Sequence, residues 1–261
     1  MPSARELELV VVDAKTARAC IENWHYSGKC VANSLVHFAV KFNGRIGGVL
    51  SYGSPMDKRK VLGLVKGTQW DGMMELNRMA LGPALPKNSE SRSLAISVRL
   101  LKARYPQLEW LLSFADGVQC GDGAIYRAAG WKLTGIKKSD QIWKDTSGRI
   151  WTRMSVTEAG SKSREEALRS VDAYGLEMHR ASTMRPFIEA GWTCLNGYMF
   201  RYILPLKTGI LERLTVPTIP YSKIDEVGGR MYRGNRLASI VDAPRDQRGD
   251  GVESTARLHN D

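Results

Sequence analysis

The chain has 261 residues, 43% of them hydrophobic, and carries 38 basic against 27 acidic side chains for a formal charge of +11. That length holds one full-sized domain with appendages, and no run approaches the ~18 apolar residues that a membrane span requires. The start, MPSARELELVVVDAK, mixes acids with apolar residues, unlike a signal peptide.

Cys20, Cys30, Cys120 and Cys194 are scattered with no CxxC pair. They read as reduced thiols of a cytosolic protein, which argues against a disulfide scaffold or a zinc site. From Lys207 onward there are 9 basic and 8 acidic residues, so the first 206 hold 29 and 19. The basic excess therefore lies in the folded part and not in a tail. It favours a polyanionic partner, nucleic acid first.

Leu7 to Val12 is an apolar strand, and Asp13 can cap a helix from about Thr16 to Trp24. His25-Tyr26-Ser27-Gly28 is a polar break after it. Val36–Phe42 and Ile46–Tyr52 both alternate, and Asn43-Gly44 between them is a strong hairpin signal. A loop with Lys58, Arg59, Lys60 and Lys66 follows and suits phosphate contacts. Glu75 to Leu81 alternates again as a strand. Its polar side chains Glu75, Asn77 and, by a shift of register, Arg78 should lie close together. Asn88-Ser89-Glu90-Ser91 then supplies capping residues for a long helix from Arg92 to Tyr105. The hydroxyls and N–H groups at its start also suit an anion.

Trp110–Ala115 is a short apolar run that suits a buried strand, and Asp116 follows it directly. Ala124–Ala129 reads as a short helix with Gly130 as its left-handed cap. A carboxylate thus sits where a buried strand ends, the edge where ligands bind in open α/β sheets; a turn-former or cap role is the other reading of Asp116. Trp131–Ile136 is a strand, 137–154 is polar with turns, and Arg164–Val171 and Met184–Ala190 are helical. Tyr198–Leu204 is a last strand. The segment 207–261 is expected to be extended or disordered beyond a domain of residues 1–206. Tyr126-xxx-Gly130-Trp131 and Phe187-xxx-Gly191-Trp192 repeat one pattern, a helix ending in a glycine with tryptophan docked behind it.

The order of elements resembles the acyltransferase fold of the GNAT superfamily, an α/β (α+β) mixed twisted sheet flanked by helices. Tyr126 before Gly130-Trp131 resembles that superfamily's tyrosine, a proton donor to the leaving thiolate of coenzyme A. His25-Tyr26-Ser27, Gly47-Gly48-Val49 with Tyr52-Gly53, Glu75-Leu76-Asn77-Arg78, Ser89-Glu90-Ser91 and Ser113-Phe114-Ala115-Asp116, in this order, resemble the Mom family of phage DNA-modification proteins. The resemblance covers roughly residues 20–135. It implies an enzyme that adds a carbamoylmethyl group to adenine N6 in double-stranded phage DNA, within the host cytoplasm, so that the DNA resists restriction enzymes. An N-acyltransferase of a small amine or protein is the alternative, and a nucleic-acid-binding protein on an inactive transferase fold is a third reading.

On that resemblance Asp116 is the acceptor for the adenine amine, Tyr126 the acid for the leaving group, and His25 and Tyr26 a second acid–base pair. His25, Tyr26 and Asp116 are also the candidate ligands of an iron ion. Arg78, Ser89 and Ser91 are the candidate donor-binding residues. Lys58, Arg59, Lys60 and the stacking aromatic Tyr52 are those for DNA, with Trp24, Tyr26 and Trp70 as further aromatics for a flipped base. Acetyl-coenzyme A binders of the fold carry a Gly-rich turn before the long helix. Pro86-Lys87-Asn88-Ser89-Glu90-Ser91 has none, which leaves acetyl-CoA, another acyl donor or aminoacyl-tRNA open. The oligomeric state is open too, a homodimer included.

Overall fold

The computed structural model describes residues 3–25, 27–118, 121–173, 183–195 and 197–229, together with a backbone hairpin at 231–232 and 235–236. Strands β1 (Glu8–Val12), β2 (Ser34–Phe42), β3 (Arg45–Gly53), β4 (Met73–Leu81), β5 (Trp110–Asp116), β6 (Lys132–Lys138) and β10 (Tyr198–Pro205) form one mixed seven-stranded sheet. Its order is β1-β2-β3-β4-β5-β10-β6, and β4 and β5 are its parallel neighbours.

Local chemistry explains the elements. Helix α1 (Ala14–Trp24) begins where the Asp13 carboxylate accepts the Thr16 N–H at 2.8 Å. The β2–β3 hairpin turns on Asn43 and Gly44 at φ 49° and 75°, the pair of positive angles a two-residue hairpin turn needs. Helix α3 (Ser89–Arg104) starts three residues earlier than its apolar spacing indicates, because the serine-rich segment is already helical.

The two faces of the sheet are covered differently. Helix α3 and the short α4 (Ala124–Ala128) pack on one face, where Leu94, Leu101, Tyr126 and Trp131 meet Leu50, Tyr52, Leu76, Leu111 and Tyr202. On the other face α1 covers Val49 and Ala80. At its far end Val65 and Ile210 cover Met73, Trp110, Leu112 and Ile203. Between these two clusters lies the part of the sheet that matters for function.

Residues 139–197 are an insertion between β6 and β10. They form a small sheet, β8-β7-β9, from β7 (Ile142–Lys144), β8 (Ile150–Thr152) and β9 (Thr193–Cys194), with helices α5 (Arg153–Thr157), α6 (Lys162–Ser170) and α7 (Arg185–Glu189). Trp143, Trp151, Phe187 and Trp192 give it a core of its own.

The chain beyond Pro205 corrects one expectation. Residues 207–229 are packed, not loose. Ile210 and Ile224 are buried, and Tyr221 (just before α8, Ser222–Glu226) donates its hydroxyl to the Trp131 carbonyl at 2.5 Å. Lys66 N–H donates to the Arg213 carbonyl at 2.8 Å and Thr215 N–H to that of Leu64 at 3.0 Å. Widely spaced isoleucines on an extended chain carry no helical or strand period, so this docking leaves no periodic signal. Most of residues 230–261 lies outside the described residues.

Candidate active site

The site is built on an irregularity of β4. Against β3, Ser51 pairs with Arg78 and Tyr52 with Leu76, so Asn77 is an extra residue, a β-bulge. Without it Arg78 would face α3. With it, Glu75 and Arg78 fall on the same face, the one shared with α1. The parallel pairing of β4 with β5 runs from Met73/Trp110 to Glu75/Leu112 and stops there. Beyond that point the two strands leave an opening whose first residues are Leu76 and Ser113.

Side chains from both faces converge on this opening. On the α3 face, Ser113 Oγ donates to the Tyr126 oxygen at 2.9 Å and lies 3.4 Å from the Leu76 carbonyl. Tyr126 is buried between Trp131 and Tyr202, each ring 5.2 Å away. Gly123, at φ +78°, allows this packing, since a Cβ there would lie 2.4 Å from the Tyr202 ring. On the other face, Glu75 is partly buried, and loss of solvent raises its carboxyl pKa to about 7, although Arg78 and a hydrogen bond from Asn77 pull the other way. Asn77 is fixed by Ser34 Oγ at 3.1 Å and by the Ser54 carbonyl at 3.4 Å. Arg78 donates from Nε to the Lys29 carbonyl at 2.9 Å and from Nη1 to that of Asn77 at 2.7 Å. The guanidinium thus ties the loop after α1 to the bulge. It sits with Glu75 and His25, away from the start of α3 where a donor phosphate was expected.

His25 caps α1 and is held by its own loop. Its Nδ1 lies 2.8 Å from Ser27 Oγ and accepts the Ser27 backbone N–H at 3.1 Å. Burial, then Arg78, lowers its pKa to about 3. The imidazole is therefore neutral with its proton on Nε2, a hydrogen-bond donor and not a base. This tautomer also disfavours a metal at Nε2, because Nδ1 would then have to carry the proton that the Ser27 N–H excludes. Among the described residues, no three His, Cys, Asp or Glu side chains gather to hold a metal. Tyr26 lies outside the described residues.

Asp116 stands at the end of β5 as expected. It is buried, and its carboxylate accepts the Val118 N–H at 2.9 Å. Strand alternation puts it on the face opposite Ser113 and Tyr126, the same face as Glu75. Tyr52 is a clear correction. It is fully buried with its hydroxyl 2.6 Å from Ser97 Oγ, and burial raises its pKa; it cannot stack on DNA. An aromatic in a strand can face either way, and here the α3 face claims it. Phe114, two residues past the last β4–β5 pair on the Glu75 face, is 40% exposed and was not singled out as a base contact.

Two further features are cationic. Lys58, Arg59 and Lys60 lie on a short helix, α2 (Lys58–Leu62), rather than a loop; Arg59 and Lys60 are exposed, and Lys60 pairs with Asp57 at 2.9 Å. At the start of α3, Arg5, Lys87 and Arg92 line a cavity of about 640 Å³ together with Asn88 and Ser91. No side chain caps this helix end, and Arg92 Nε is buried without a hydrogen-bond partner. An anionic group such as a pyrophosphate fits there. The hydroxyls of Ser89 and Ser91 turn back instead, to the carbonyls of Pro86 at 2.5 Å and Asn88 at 3.2 Å.

A model of the Mom protein family matches residues 6–223. The chain belongs to this family. A member from Escherichia phage Mu, named methylcarbamoylase mom, is 37% identical over 138 residues. That match spans 52% of this chain and 56% of the phage Mu protein, about half of each. Similar solved structures include an IAA acetyltransferase from Bacillus cereus, 10% identical with a TM-score of 0.42 over 77% of this chain and 99% of that one. A GNAT family acetyltransferase from Elizabethkingia anophelis with acetyl-CoA bound is 12% identical with a TM-score of 0.36, over 77% and 99%. The family match takes in the bulge, the opening and the basic helix, and it reaches past Pro205 into the packed C-terminal segment.

Proposed function

We propose that this Mom family chain is a DNA-modifying transferase that places a carbamoylmethyl-type group on the exocyclic N6 of adenine in phage DNA, in the host cytoplasm, and so shields that DNA from restriction. The observation that carries this reading is the opening between β4 and β5. Glu75, whose carboxyl pKa is near neutrality, and Ser113, which hydrogen-bonds the buried Tyr126 phenol on the other face of the sheet, stand on either side of the point where the strands part. The family match and the name of the phage Mu relative, a methylcarbamoylase, support the choice of the transferred group.

Adenine N6 is a weak nucleophile because its lone pair is delocalised into the ring. Glu75 takes its proton as the amine attacks, and a pKa near the working pH suits that task. Tyr126 accepts a hydrogen bond from Ser113, which orients its phenolic proton for the leaving group. His25 presents Nε2–H as a donor to the developing oxyanion. Asp116 holds the turn after β5. Phe114 stacks on the adenine once it has left the duplex. An acyl-coenzyme A would be held by its phosphates at the α3 start, on Arg92 and Lys87. Attack of N6 on its thioester carbonyl would form an N6–acyl bond and break the C–S bond, Tyr126 protonating the released thiolate. Conversion of that acyl adduct to the isomeric carbamoylmethyl group would be a later step.

The test compares Glu75→Gln with Asp116→Asn by mass spectrometry of nucleosides from modified DNA. Glu75→Gln should lower modification ~10²–10⁴-fold, and wild-type activity should rise with pH through about 7 while the variant's stays flat. Stability moves the other way. A carboxyl whose folded pKa lies above its unfolded value contributes most at low pH, and that contribution is lost as pH rises through about 7. Glu75→Gln should therefore melt higher than wild type at pH 8 and close to it at pH 4. Asp116→Asn keeps an oxygen for the Val118 N–H and should stay active. An inactive Asp116→Asn beside an active Glu75→Gln would reverse the two roles.

A further inference from the structure

Two large apolar side chains stand in solvent beside the opening. Met56 is 84% exposed and Trp70 60% exposed. Both line one cavity of about 350 Å³ with Ser54, Lys58 and Arg59. The Ser54 carbonyl on this wall also receives the amides of Asn33, at 2.5 Å, and of Asn77. The cavity therefore adjoins the bulge that presents Glu75.

These side chains do not belong to a loose loop. Val61, Leu62 and Leu64 pack on the cluster of Val65, Met73 and Trp110. Trp110 Nε1 donates to Thr68 Oγ1 at 2.9 Å, Glu109 N–H to the Gly72 carbonyl at 2.7 Å, and Val65 bridges to Leu214. Residues 210–215 thus brace the segment from outside. An exposed tryptophan on a braced support gains nothing for the fold. Lys58 Nζ sits 4.8 Å from the Trp70 ring centroid, so a cation accompanies the ring. Residues 1–138 as a whole hold 20 basic and 11 acidic side chains, whereas the insertion 139–197 holds 8 of each; beside the two apolar side chains, Asp57 pairs with Lys60 and Asp71 acts on Lys58. Apolar tips with Lys58 and Arg59 beside them complement stacked bases flanked by phosphates, and apolar side chains that enter a base step unstack it.

We propose that Trp70 and Met56 form a wedge that enters duplex DNA beside the target adenine and holds the vacated stack open, while Lys58, Arg59 and Lys60 grip the flanking phosphates. The inference rests on the reading of the chain as a DNA adenine transferase. It assigns the step before chemistry, in which the base leaves the helix. Unstacking a base pair requires a few kcal/mol, and a wedge recovers part of it by stacking on the bases left behind.

Permanganate oxidation of a long duplex tests this without knowledge of the target sequence, because thymines opposite an extruded adenine become reactive. Wild-type protein should produce discrete reactive thymines. Trp70→Ala should reduce them at least ~10-fold, while duplex affinity, carried mainly by phosphate contacts, falls only a few-fold. Trp70→Phe should retain most of the signal. Met56→Ser, at a side chain that supports no packing, should reduce it independently of any folding defect. Undiminished reactivity in Trp70→Ala and Met56→Ser, no reactive thymines with wild type, or a change of oligomeric state as the sole consequence of Trp70→Ala would each overturn the wedge. Counting modified nucleosides in the same samples separates the two ideas. Reactive thymines that depend on Trp70, in DNA whose adenines stay unmodified, would sink the transferase reading and leave the wedge standing.

Discussion

The same corner occurs twice in this molecule. In the main sheet α4 ends at Gly130 with φ 81°, and the Trp131 N–H reaches back to the Tyr126 carbonyl at 3.0 Å. In the insertion α7 ends at Gly191 with φ 87°, and the Trp192 N–H reaches back to the Phe187 carbonyl at 2.9 Å. Both are helix ends closed by a left-handed glycine with an aromatic contact across the cap; the ring centroids are 5.2 Å apart in the first and 4.6 Å in the second. What separates them is one oxygen and its surroundings. Tyr126 carries a hydroxyl that meets Ser113 at the opening of the sheet. Phe187 is closed off among Trp143, Trp151, Val156 and Leu168. A shared backbone motif is thus a scaffold in one place and a site in the other, and the polar partner decides which.

The largest effect should come from erasing that oxygen. Tyr126→Phe keeps the ring between Trp131 and Tyr202, and Ser113 keeps the Leu76 carbonyl, so folding should survive within ~1 kcal/mol. Modified adenine should fall ~10²–10⁴-fold if the phenol is the acid, measured by nucleoside mass spectrometry alongside thermal melting. A variant that melts normally and modifies normally would make the two corners equivalent.

Which parts of this were legible in the sequence follows the same logic. The Asn43-Gly44 hairpin, the Asp13 cap and both glycine corners are local, and each was readable from a few neighbouring residues. The polar cluster on β4 was also readable as Glu75, Asn77 and Arg78, because a shift of register was the one way to bring them together. Its chemistry was not, since the raised pKa of Glu75 depends on how the bulge buries it. The strands and helix between Ile142 and Thr157 were hidden for a different reason. Trp143 and Trp151 pack with Phe187 and Trp192, some 40 residues later, so no local period announces them. Tyr52 was misread because a strand pattern fixes alternation, not which face is inside. The C-terminal brace was missed because its contacts are long-range and its sequence is aperiodic.

The reverse exchange is a smaller perturbation. Phe187→Tyr adds a hydroxyl to a core whose neighbours are mainly apolar, and an unsatisfied buried hydroxyl costs about 1–3 kcal/mol. Activity per folded molecule should be unchanged, since the insertion core lies outside the opening. A Phe187→Tyr variant as stable as wild type, shown by denaturant melts, would mean that this core has a polar partner for the new oxygen and is less closed than its rings suggest.

The smallest effect is the most direct check that the corners are alike. Gly130 and Gly191 both have positive φ, and a Cβ at Gly130 would meet nothing within 4 Å, while one at Gly191 would meet Thr146 Cγ2 at 3.5 Å, an ordinary contact. Space is therefore not the issue at either position. The cost of alanine is that of a left-handed backbone alone, roughly 1–2 kcal/mol. Gly130→Ala and Gly191→Ala should thus destabilise by nearly the same amount. Asparagine, which tolerates this backbone better, should recover part of the loss at both. Equal losses by denaturant melting would isolate the corner as a common scaffold and leave the Tyr126 hydroxyl as the functional difference. A much larger loss at Gly130 would mean that its cap also positions the opening, and then the fall in activity of Gly130→Ala should exceed what its unfolded fraction explains.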